Sequence, residues 1–158
     1  MTGVLLPFLF IIALSNGIFL IAIFIIRKNP QSTLLRKVGS TYILLFIPAA
    51  IIGIVLSIIE NYGLYYTTFL AIFLAFLGVE ALFDYVLKVD FRKNWKLLIP
   101  YLALYYAMNY GLVVMVWKLD VILGMILLIL FIAQIIVNIL THPPIRKNNI
   151  QPREEKVE

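Results

Sequence analysis

The chain contains no cysteine. Disulfides, thiol nucleophiles, cysteine-ligated zinc and iron–sulfur clusters are excluded with it. Histidine occurs once, as His142, so one chain cannot assemble a multi-histidine metal or haem site, and no Ser-His-Asp set is available away from the end of the last apolar run. Charge is scarce: 13% of residues are charged, against about a quarter in soluble domains. No glycine-rich phosphate loop follows a strand pattern. Ten-residue segments of alternating polarity, the mark of a membrane β-barrel, are missing as well. These absences leave no expected metal or cofactor, and enzyme templates fit poorly.

What is present is apolar sequence in long runs. Of 158 residues 63% are hydrophobic, and the mean hydropathy is +1.03. A bilayer core requires about 20 consecutive apolar residues of a helix. Five runs meet that requirement, at about 4–26, 40–59, 65–87, 97–117 and 121–141. The expected fold class is all-α, a polytopic integral membrane bundle of five transmembrane helices. Residues 1–142 form the bundle, and 143–158 form a polar tail expected to be disordered. The first run lacks a basic n-region and a small-residue cleavage site, so it is expected to stay as a helix rather than leave as a signal peptide. Pro143 and Pro144 stop the fifth helix, because neither can donate a backbone hydrogen bond.

The connecting segments alternate in charge. Arg27, Lys28, Arg36 and Lys37 fall in the first, Lys88, Arg92, Lys93 and Lys96 in the third, and four more bases in the tail; only Lys118 lies on the other side, so 12 of 13 bases share one face. Short basic loops stay cytoplasmic. The N-terminus is therefore expected outside and the C-terminus inside, in a multi-pass protein of the cell membrane. A formal charge of +5 invites a nucleic-acid reading. Its placement at one membrane face points instead to anionic headgroups, with Arg36, Lys37, Lys88, Arg92 and Lys93 as the expected lipid or phosphate contacts. Tyr62, Tyr65, Tyr66 and Trp117 anchor the outer boundary, and Tyr85 and Trp95 the inner one. Trp95 and Trp117 bracket a rise of about 33 Å, close to a hydrocarbon core of about 30 Å.

Short outer turns make antiparallel hairpins of spans two and three and of spans four and five. Ala49, Gly53 and Ser57 repeat at four-residue spacing and are expected to face Ala71 and Ala75, since small residues let helices approach closely in lipid. The hairpins share a pattern, with Pro48 and Pro100 near their starts and polar trios near their ends: Glu80, Asp84 and Lys88 in one, Gln134, Asn138 and His142 in the other.

The stretch GVEALFDYVLK, residues 78–88, places two carboxylates one turn apart inside an apolar run. Asp84 has a simple explanation, an i,i+4 pair with Lys88 at the interface. Glu80 lies about 10 Å inside the bilayer, at the same depth as Gln134. A protonated Glu80 hydrogen-bonded to Gln134 would satisfy both groups. Asn16 and Asn109 fall near the midplane, with Tyr105 one turn from Asn109. Buried polar groups in lipid need partners, so Asn16, Glu80, Asp84, Tyr105, Asn109, Gln134 and Asn138 are expected to form one polar layer. Ionisable groups at such depth are functional candidates. Three roles fit: a small transport- or channel-like protein with an inward-facing site at Glu80 and Asp84, working as a homo-oligomer; a structural or assembly subunit of a larger membrane complex; or an enzyme acting on lipid or isoprenoid, with phosphate held by Arg92 and Lys93.

Overall fold

The structure, a computed structural model, describes residues 3–28, 32–87 and 94–141. Five helices make up almost all of them: α1 (Leu5–Lys28), α2 (Ser32–Ile59), α3 (Leu64–Ala81), α4 (Trp95–Leu119) and α5 (Val121–Thr141). The end of α3 continues as a π-helical segment, Leu82–Leu87. Each span is long and apolar enough to cross a membrane. The expected all-α bundle of five such helices is therefore what forms, a multi-pass architecture. His142 and the tail lie outside the described residues, as do Lys88, Arg92 and Lys93.

The helices close into a ring in chain order, α1–α2–α3–α4–α5 and back to α1, with α1 also touching α4 across the ring. Both expected hairpins form. Burial of apolar surface cannot drive helices together when the solvent is itself apolar, so close packing decides the arrangement. One close backbone approach lies between α4 and α5. A Cβ on Gly124 would sit 2.5 Å from the Trp117 Cα. Only glycine allows the two backbones that approach.

The predicted facing rows of small residues form on one side only. Gly53 packs on Leu70 and on Phe8 of α1, and Ser57 is hydrogen-bonded to Thr67 at 3.0 Å. Ala71 and Ala75 point outward, exposed. The buried stripe of α3 is Tyr66, Leu70, Phe73, Phe76, Leu77 and Glu80. Large residues of α3 fill the hollow that small residues of α2 leave. The prolines of the two hairpins are not equivalent either. Pro48 stands in the middle of α2, whereas Pro100 is in the second turn of α4.

The turns at the end distant from most bases are tightly built. Asn61 adopts φ 55°, and the amides of Asn61 and Tyr62 donate to the carbonyls of Ile58 and Ser57. That is a Schellman ending for α2, with asparagine in the left-handed position. Glu60 is then free to reach across the bundle. Its carboxylate accepts from the amides of Val4 at 3.0 Å and Leu5 at 3.4 Å, capping α1. Asp120 alone joins α4 to α5. Its amide donates to the Val116 carbonyl, and its Oδ1 accepts from the amides of Ile122 and Leu123 at 2.9 and 3.0 Å. Both acids sit at positive helix N-termini, where carboxylates are stabilising. Lys118 lies 3.8 Å from the centre of the Tyr65 ring, a cation–π contact.

Candidate functional site

At the opposite end, where α1 finishes, α2 begins and α3 turns π-helical, the bundle does not close. A cavity of about 270 Å³ opens there, lined by Arg27, Arg36, Tyr42, Glu80, Asp84 and Tyr85, with apolar walls from Ile23, Leu35 and Ile43. Glu80 is 9% exposed and belongs to the buried face of α3. Asp84 and Arg36 are exposed at the rim. Two carboxylates and two guanidiniums share this space.

Local sequence explains the shape. Along α2, Leu35, Gly39, Tyr42, Phe46, Ala50, Gly53 and Ser57 recur at spacings of three and four, so they line one face. Gly39 lets Tyr85 approach: a Cβ there would lie 2.7 Å from the Tyr85 hydroxyl. That hydroxyl donates to the Arg36 carbonyl at 3.1 Å, tying the π-helical segment to the start of α2. A π-helical turn holds more residues than an α-turn and is frequent at functional sites. Here it carries both Asp84 and Tyr85.

Beyond Tyr42, the bundle next to the cavity is packed with aromatic rings. Tyr42 packs on Phe46 at 4.9 Å between centroids, and Phe46 meets Phe73 edge-on at 6.0 Å. Phe46, Phe73 and Phe76 are fully buried. The cavity thus reaches Glu80 from the basic end.

The expected single polar layer resolves into three groups. In the first, the Tyr42 hydroxyl donates to Asn16 Oδ1 at 2.6 Å, and Asn16 Nδ2 points at Met108 Sδ, 3.6 Å away. In the second, the Tyr105 hydroxyl donates to Gln134 Oε1 at 3.1 Å. The Glu80 cavity is the third. Gln134 is therefore bonded to Tyr105, not to Glu80 as its depth suggested. The ring order explains this: α5 packs on α1 and α4, while α3 packs on α2 and α4. Equal depth does not make two residues neighbours. Asn109 donates to the Tyr105 carbonyl at 3.0 Å, one turn back in its own helix. Asn138 lines a small pocket of about 60 Å³ with Arg27, Tyr101 and Tyr105.

Two residues link the groups. Tyr42 both lines the Glu80 cavity and bonds Asn16. Arg27 lines the Glu80 cavity and the Asn138 pocket alike. Neither stood out as a site residue from sequence. Arg27 reads as one loop base among many, although it ends an apolar span. The face that carries Tyr42 was visible in the three-four spacing of α2. Tyr85, expected as an interfacial anchor, is half-buried in the cavity wall. Asp84 faces the same cavity as Arg27 and Arg36, whatever its relation to Lys88. Of the expected anion contacts, Arg36 lines the cavity and Lys37 lies beside it in an adjoining hollow with Thr33 and Ser40.

Comparison of the chain with protein-family models, with curated proteins and with solved structures gives no match. The chemistry of the cavity itself must carry the functional reading.

Proposed function

We propose that this is a small transport- or channel-like membrane protein whose inward-facing acidic site, Glu80 with Asp84, takes up a proton from the basic, cytoplasmic face. The observation that carries this reading is the cavity that reaches Glu80 from the basic end of the bundle. A carboxylate with only lipid and apolar side chains around it has no source of protons; one that borders an open, charged cavity does. A hard metal cation is less suited. Calcium takes about six to eight oxygen ligands, and here two guanidiniums share the space with the two carboxylates. A proton needs one oxygen.

The Phe46–Phe73 stack fills the bundle beyond Tyr42, so passage across it needs movement there. The Tyr42–Asn16 hydrogen bond is the polar step from Glu80 toward the bundle centre. Arg27 and Arg36 provide positive charge that a carboxylate can face when deprotonated and leave when protonated. With only five helices, passage is best served by association of two or more copies.

The test is proton flux in liposomes carrying a pH gradient and an enclosed pH-sensitive dye. The parent protein dissipates the gradient. Glu80→Gln keeps the size and hydrogen-bonding capacity and removes titration; it should melt within about 1 kcal/mol of the parent and pass no protons. A Gln variant as active as the parent makes Glu80 a structural group and supports the assembly-subunit role. A parent protein without flux removes the transport reading.

A further inference from the structure

A second feature adjoins the cavity on the outer surface of the α2–α3 pair. Along one face of α2 the residues run Thr33, Arg36, Lys37 and Ser40, then Leu44, Ile47 and Pro48. Spacings of three and four place them in one strip. The strip changes character along the helix axis rather than around it. Its first two turns form a polar hollow of about 380 Å³ with Tyr85. Its next two turns form an apolar groove of about 340 Å³, walled on the α3 side by Ala81, Tyr85 and Val86. Ser40 and Tyr85 border both. Leu44 and Val86 are 77% and 70% exposed. From Lys37 to Pro48 the helix rises about 16 Å, close to one leaflet of a hydrocarbon core of about 30 Å.

We infer that this strip is a binding site for one membrane lipid with an anionic phosphate headgroup. The phosphate sits between Arg36 and Lys37, within reach of the Thr33 and Ser40 hydroxyls. One acyl chain follows the groove to Pro48. A guanidinium can grip a phosphate with two parallel hydrogen bonds, and the lysine adds a compact second charge. Charge complementarity selects the headgroup, and the groove that continues from it selects a lipid over free phosphate. The site does not depend on proton uptake at Glu80. It does share Arg36 and Tyr85 with that cavity, so a bound headgroup stands at the cavity mouth.

The experiment uses the full chain in neutral detergent, with melting followed through Trp95 and Trp117. Phosphatidylglycerol, phosphatidylcholine of the same chain length and sodium phosphate are added separately. Phosphatidylglycerol should raise the melting temperature by several degrees, and the other two should not. The double substitution Arg36→Gln/Lys37→Gln should weaken phosphatidylglycerol binding at least tenfold. Ala81→Trp, which fills the groove and leaves the bases in place, should do the same. The pair keeps the test decisive if one variant does not fold. Equal stabilisation by both lipids would mean ordinary solvation of the bundle. Stabilisation by sodium phosphate alone would mean an anion site without an acyl track. Undiminished binding in either folded variant would place the lipid elsewhere. Each of these three results overturns the inference.

Discussion

The two ends of this bundle spend the same residues differently. Four acids fall among the described residues, two at each end. At the end distant from the bases, Glu60 and Asp120 accept backbone amides and finish helices. At that end Tyr62, Tyr65, Tyr66 and Phe69 also stack edge-on against one another, and the one base there, Lys118, rests on Tyr65. At the basic end, Glu80 and Asp84 line a cavity with Arg27 and Arg36. A carboxylate near a helix N-terminus is a structural part. Glu80 and Asp84 lie toward the C-terminal end of α3 and its π-helical extension, where the dipole offers nothing to an anion, and face the cavity instead. Acids of one composition class are therefore told apart by which helix end they meet.

Steric substitutions should sharpen this contrast most. Gly124→Ala drives a methyl group into the Trp117 backbone, which has no room to move, and should cost about 1–3 kcal/mol. Gly39→Ala at the open end meets only the tip of Tyr85, a side chain that can swing. Its cost should stay below about 1 kcal/mol, because the swing gives up one exposed hydrogen bond to the Arg36 carbonyl, worth about 1 kcal/mol, while alanine favours the helix by up to about 1 kcal/mol. Thermal unfolding of both variants in detergent makes the comparison; equal losses would mean that the basic end is packed as tightly as the other. The next effect is smaller. Asp120→Ala removes the cap of α5 and should cost about 1 kcal/mol, whereas Asp84→Asn should change melting by less than about 0.5 kcal/mol. A larger loss at Asp84 than at Asp120 would reverse the assignment of structural and functional acids.

Much of the bundle was legible because the bilayer imposes one rule, a long apolar run for every crossing. The rule fails at helix ends. The sequence pattern starts the second span near residue 40, but α2 begins at Ser32. Leu34, Leu35, Arg36 and Lys37 are good helix formers, so the helix continues out of the apolar region as a charged turn. That extension builds the cavity rim and the polar half of the outer strip. Glu80 stood out on its own, since an acid at its depth in an apolar run is costly. Its companions did not. Arg27, Tyr42 and Tyr85 reach it only through the packing of three helices, and helix order around a ring is not written in hydropathy. Gln134 was assigned to Glu80 on depth alone, and the ring order gives it to Tyr105 instead. The Glu60 cap of α1 was equally hidden, because its partners are backbone amides 55 and 56 residues away.

The absence of native cysteine allows the central contrast, one end open and one end closed, to be measured directly. Single cysteines are introduced as Glu80→Cys and Ser57→Cys, and the protein in lipid nanodiscs is treated with a charged, water-soluble methanethiosulfonate. Ser57 lies two residues from the end of α2 yet is buried at 1% exposure, hydrogen-bonded to Thr67. Glu80 lies seven residues before the end of the π-helical segment, deeper in the bundle but on the cavity. The account predicts rapid labelling at position 80 and none at position 57, read by intact-protein mass. Labelling at 57 with none at 80 would contradict it.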